Sequence, residues 1–255
     1  MDAINHRAAW EQWREHRNET LRQPHGWLSL VNLEWVGDTA APLSSFPGIW
    51  SAKDHQVTAT FSPEDQVTRD GHPVVGQVHL EIPRGESDTS LLDARGRQAE
   101  VASRFGRIAV RTRDPEAPTR TNFSETRTFD FDPKWIVTVE WEPYPEPTEV
   151  PVPSAYQSKP MTLTAQGSAT VFGQKVTITG SDRDHLGLVF HDETNGNQTE
   201  GWRSAPAKLD DGRLTIDFNR AVNFPAHFTP YGTCPTPPAG NTLPVAVTAG
   251  EKKNR

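Results

Sequence analysis

Glu100-Val101-Ala102-Ser103-Arg104-Phe105-Gly106-Arg107-Ile108-Ala109-Val110-Arg111-Thr112-Arg113 reads as a hairpin, two short runs folded about Gly106. Branched side chains such as Val, Ile and Thr suit a pleated surface, and glycine tolerates the backbone of a tight turn. Upstream the same signals recur. Val57, Ala59 and Phe61 alternate with Thr58 and Thr60, and Asp70-Gly71 is a turn dipeptide between two short apolar runs. Val78-His79-Leu80-Glu81-Ile82 is another strand. Downstream, Trp135-Ile136-Val137-Thr138-Val139-Glu140-Trp141 is a strong strand, and residues 168–172 and 175–179 flank Gly173 as a hairpin. Strands follow over 186–190 and 214–218, the latter after the turn Asp210-Asp211-Gly212, and 242–248 reads as a last short one. Many short strands with turn signals between them predict a mainly β fold, an antiparallel sandwich or barrel-like sheets.

The start of the chain differs. Residues 3–22 carry Ile4, Ala8, Ala9, Trp13 and Leu21 near helical spacing, with Asp2 placed to cap and Pro24 to stop. That predicts one N-terminal amphipathic helix within residues 1–25, followed by a β domain over 26–255. Trp10 and Trp13 are its expected anchors. Residues 27–36 are apolar and bounded by Gly26 and Gly37, which fits a buried strand or a short helical turn plus strand. The proline-rich stretch 142–160 has no periodicity and reads as a long loop or an internal boundary.

Composition narrows the function classes. The chain carries 22 prolines in 255 residues, where ordinary usage of roughly 5% would give about 13. That argues against a helical bundle, because proline breaks helix interiors. The net charge of -7 comes with charges of mixed sign and no basic stripe, which speaks against nucleic acid and against a basic membrane-surface helix. No run approaches 18 apolar residues, and the first residues lack the apolar core of a signal peptide. With Cys234 as the single cysteine, no internal disulfide forms. These features together predict a cytoplasmic protein.

The stretch 191–251 holds the candidate chemistry. It opens on His191-Asp192-Glu193-Thr194-Asn195-Gly196, a polar turn at the mouth of a strand. In Asp217-Phe218-Asn219-Arg220-Ala221-Val222-Asn223, alternation puts Asp217 and Asn219 on one face. Arg220 there is able to hold a carboxylate or phosphate through two parallel bonds. Tyr231, Asn241 and Glu251 follow in a proline-punctuated run. His185, His191 and His227 match no standard zinc spacing, so no metal and no cofactor is expected. Cys234 between Thr233 and Pro235 reads as a buried, inert thiol; as a nucleophile it would need a base, and His227 is the nearest. Neither a nucleophile elbow, a P-loop nor a dinucleotide fingerprint occurs.

Asp192-x-Thr194-Asn195-Gly196, Thr199, Arg203, Asp217-Phe218-Asn219-Arg220-Ala221-x-Asn223-x-Pro225, Tyr231-x-Thr233-Cys234-Pro235-x-Pro237-Pro238, Asn241 and Ala249-Gly250-Glu251-Lys252 resemble the DUF1684 family. Gly26-Trp27-Leu28-Ser29-Leu30, Leu33-x-Trp35 and Arg107-Ile108-Ala109-Val110-Arg111-x-Arg113-Asp114-Pro115 fit as well. The resemblance implies a bacterial or archaeal family of unknown function and supplies no catalytic residues. It also implies a cysteine where this chain has Ala226, so a two-cysteine metal site or redox pair has no second member here.

Three readings follow from the residues. In the first, a pocket for a small polar or anionic molecule is lined by Asp192, Asn195, Arg203, Asn219, Asn223, Tyr231 and Asn241, with a hydrolase-like role for Asp217 or Glu251 as acid or base and Arg220 holding substrate charge. In the second, the same residues only bind a ligand. In the third, they form an internal hydrogen-bond network that fastens the C-terminal segment over a sheet. Oligomeric state is not legible.

Overall fold

Alternating side chains bury one face of a strand and force sheets to pair face to face or to close on themselves. Both solutions occur in the computed structural model of this chain, which describes residues 3–54, 56–82 and 89–253, with side chains from residue 6 onward. Strands make up 48% of the protein and helix 15%, so the mainly β reading stands. Contacts within the chain divide it into unit 1 (Met1–Glu19, Ser124–His227, Gly232–Arg255) and unit 2 (Thr20–Phe123, Phe228–Tyr231).

The N-terminal helix α1 spans Ala3–Arg22. Trp10, Asn18 and Leu21 are buried while Glu11, Glu15 and Glu19 are exposed, the expected one-sided pattern. Asp2, the expected cap, lies outside the described residues. Among the described residues, no helix is long and apolar enough to cross a membrane.

Unit 2 holds β1 (Leu30–Trp35), β2 (Ala41–Pro42), β3 (Ile49–Lys53), β4 (Gln56–Phe61), β5 (Val67–Arg69), β6 (His72–Pro73), β7 (Gly76–Glu81), β8 (Thr89–Ala94), β9 (Arg97–Arg104) and β10 (Arg107–Arg113). They form two antiparallel sheets, ordered β1-β10-β9-β8-β5-β6 and β2-β3-β4-β7. One core joins the sheets: Trp50, Val57, Ala59, Phe61 and Leu80 from the smaller, Leu92, Val101, Ile108 and Val110 from the larger. The hairpin about Gly106 forms as read, with Arg104 opposite Arg107 and Val101 opposite Val110. Phe105 and Gly106 both have positive φ, the two-residue turn whose twist matches its strands, and Asp70-Gly71 repeats it. Trp27–Ser29 is a 3-10 turn before β1, the second of the two readings for that stretch.

Unit 1 holds β11 (Ile136–Pro153), β12 (Pro160–Val171), β13 (Gln174–Gly180), β14 (Leu186–Phe190), β15 (Arg203–Asp210), β16 (Arg213–Asp217) and β17 (Val222–Asn223). The order is β14-β13-β12-β11-β16-β15-β17, and β14 also pairs with β15, which closes six strands into a barrel. Trp135, Phe172, Phe190 and Phe218 meet edge-on or tilted inside it.

Two stretches depart from expectation. Residues 142–153, read as part of a loop, continue β11. That strand pairs with β16 only from Ile136 to Glu140; beyond, it has β12 alone as neighbour, and its register slips between Pro143 and Thr148. An edge with a bulge is where proline, lacking an N–H, costs a strand least. Residues 242–248, read as a strand, make only an isolated bridge, Thr242 to His191. Leu243, Val247 and Ala249 instead pack into the barrel core.

Candidate functional site

The C-terminal segment needs polar anchors, because an irregular chain over a core must still satisfy its backbone groups. Arg203, at the start of β15, supplies several. Its guanidinium donates to the Asp192 carboxylate at 2.7 Å and to the carbonyls of Val247 (2.9 Å), Glu251 (3.3 Å) and Ala249. The Phe190 ring lies 5.4 Å away. Both side chains of the Arg203–Asp192 pair are 0% exposed. Burial pulls the arginine's pKa down, and Asp192 and Glu251 oppose that pull. The second Asp192 oxygen accepts from the backbone N–H of Thr194 (2.7 Å) and from its hydroxyl (2.5 Å). Asn195 accepts from the Asp192 N–H and donates to the Thr199 hydroxyl and the Glu200 carbonyl, closing the turn on itself.

Glu251 is a further buried charge of this segment, 0% exposed, and the cation bonded to its carboxylate comes from α1. Arg17 Nε donates to Oε1 at 3.0 Å, and the Asn223 N–H donates to Oε2 at 2.6 Å. Arg17 also reaches the Asn223 carbonyl, and the Asn223 amide donates to the Lys252 carbonyl. Gly250 just before has φ +74°, and a Cβ there would sit 2.6 Å from the Ala221 carbonyl oxygen, so no other residue fits without a shift. Asn219 exchanges both its amide bonds with the backbone of Asp132, and its carbonyl accepts from Trp10 Nε1 at 2.9 Å. Asn241 does the same with Thr177 and adds the Val189 carbonyl.

Asp217 and Arg220 are differently placed. Their side chains are 23% and 33% exposed, with 3.3 Å between Oδ2 and Nε. Arg220 also reaches the Ala9 carbonyl and lies 5.9 Å from the Trp13 ring. Asp217 accepts from the Asn219 N–H, capping the turn that follows β16. Burial pushes its carboxyl above the usual aspartate range, against Asn219, Arg220 and His6.

The residues picked from sequence therefore fall into three groups. Asp192, Asn195, Arg203, Asn219, Asn223, Asn241 and Glu251 are bonded to protein groups inside or along the barrel. Asp217 and Arg220 face one another at its rim. Tyr231 belongs to unit 2 and is half-buried there. A cleft of about 520 Å³ in unit 1, between residues 129–135 and Thr248, is lined by none of the ten. Among the described residues, no three His, Cys, Asp or Glu side chains gather as metal ligands would.

A family model for DUF1684, described as a protein of unknown function, matches residues 121–252. The chain belongs to DUF1684. All ten candidate residues lie inside the match, whereas α1, which carries the cation for Glu251, lies outside it. An uncharacterised protein of Haloarcula marismortui, solved by NMR in solution, is 27% identical over 52% of this chain and 78% of its own, with a TM-score of 0.41. No curated protein matches.

Sequence reading missed Arg17 and Asn18, whose signal was two polar residues on the buried face of a helix. It also missed a cluster on the outer face of β9 and β10. Glu100 there accepts from Arg104 and Arg111 (3.0 Å each) and from Arg113 (2.7 Å), with Trp27 4.9 Å from the Arg113 guanidinium. Burial works to raise the Glu100 pKa, and Arg111, Arg113 and Arg104 hold it below the usual range. Alternation predicts that face, since Ala99 and Val101 take the core side.

Proposed function

We propose that the polar cluster of residues 191–251 in this DUF1684 protein is a lock rather than a pocket. It fastens the C-terminal segment across the barrel and joins that segment to α1. One observation carries this reading: the three full charges at its centre, Arg203, Asp192 and Glu251, are 0% exposed and answered by protein groups. A catalytic or ligand-holding charge must meet its partner, and these meet only the fold. The test pairs Arg203→Met and Glu251→Gln with the parent in urea unfolding, beside a thermal-shift screen of carboxylates, phosphates and amino acids. The lock reading expects both variants to lose stability and the parent to show no ligand-induced shift. A parent shift that disappears in Arg203→Met, with stability kept, would overturn it.

A second reading applies to Asp217 and Arg220 alone, favoured by their partial exposure and by the raised pKa of Asp217. A carboxyl displaced upward beside an arginine is the arrangement of a general acid with an anion holder, hydrolase-like in type. Loss of a ligand-induced shift in Arg220→Ala would support it; a parent that responds to no anion would end it. The same proposal keeps nucleic acid out, given the net charge of -7, and assigns the protein to the cytoplasm on the strength of its single, buried cysteine.

A further inference from the structure

We draw no further inference here: the strongest candidate, the cluster of Arg104, Arg111 and Arg113 around Glu100 on the β9–β10 face of unit 2, carries nothing because its guanidiniums are already held by that carboxylate and by the carbonyls of Ser103 and Gly26, and nothing in the structure points to an anion that would displace them.

Discussion

Arg203 has its charge answered by one carboxylate and three carbonyls, so what it leaves behind matters more than what it is. Arg203→Met strands the buried Asp192, and the expected loss is about 3–5 kcal/mol, read from the urea midpoint at constant slope. Replacing both partners by apolar residues of similar size should recover much of it. Asp217 behaves in the opposite sense. Its pKa is raised in the folded protein, so the stability it contributes is present at low pH and declines as pH rises through the folded value. Asp217→Asn keeps an acceptor for the Asn219 N–H and removes the disfavoured charge. It should therefore match or exceed the parent's stability at pH 7 and lose that advantage near pH 4. A variant less stable than the parent at pH 7 and equal to it in acid would show that the Arg220 pair outweighs burial. These residues were legible as a polar cluster, and no more. A site and a network use the same side chains, because both require satisfied donors and acceptors, and only burial separates them.

At the scale of elements, α1 acts through its polar side chains as well as its apolar face. Arg17, Asn18 and Trp10 bond Glu251, the Thr126 backbone and the Asn219 carbonyl. Arg17→Met leaves Glu251 buried with the Asn223 N–H and no cation bonded to its carboxylate, a loss of about 3–5 kcal/mol by unfolding at pH 7. Gly250→Ala places a methyl against the Ala221 and Phe218 carbonyls at a left-handed φ. It should cost about 1–3 kcal/mol with the same spectroscopic fold. The hairpins about Gly106 and Gly173 were legible because each carries its own turn chemistry within a few residues. β11 past Trp141 was not, because its tolerance of proline depends on having a neighbour on one side only, which no local pattern records. The stretch 242–248 failed for a related reason: its apolar residues pack into the barrel core, and strand periodicity mimics that spacing.

At the scale of the whole molecule, the described residues form two hydrophobic cores with separate membership. Leu92→Ala opens a cavity in one and Leu214→Ala in the other, each expected to cost about 2–5 kcal/mol. Calorimetry should find each variant broadening or splitting the transition, since each weakens its own unit. A single sharp transition shifted equally by both would mean that the units unfold as one. The mainly β class was legible at this scale; unit 1 gathers its helix from one end of the chain and its strands from the other. That arrangement has a consequence for how the protein is made. Arg17 leaves the ribosome 234 residues ahead of Glu251. The ten described strands of unit 2 are translated by Arg113, and the six barrel strands of unit 1 by Asp217. The Arg17–Glu251 pair must wait for codon 251. A message that ends before that codon leaves the helix holding out an arginine to a carboxylate that was never translated.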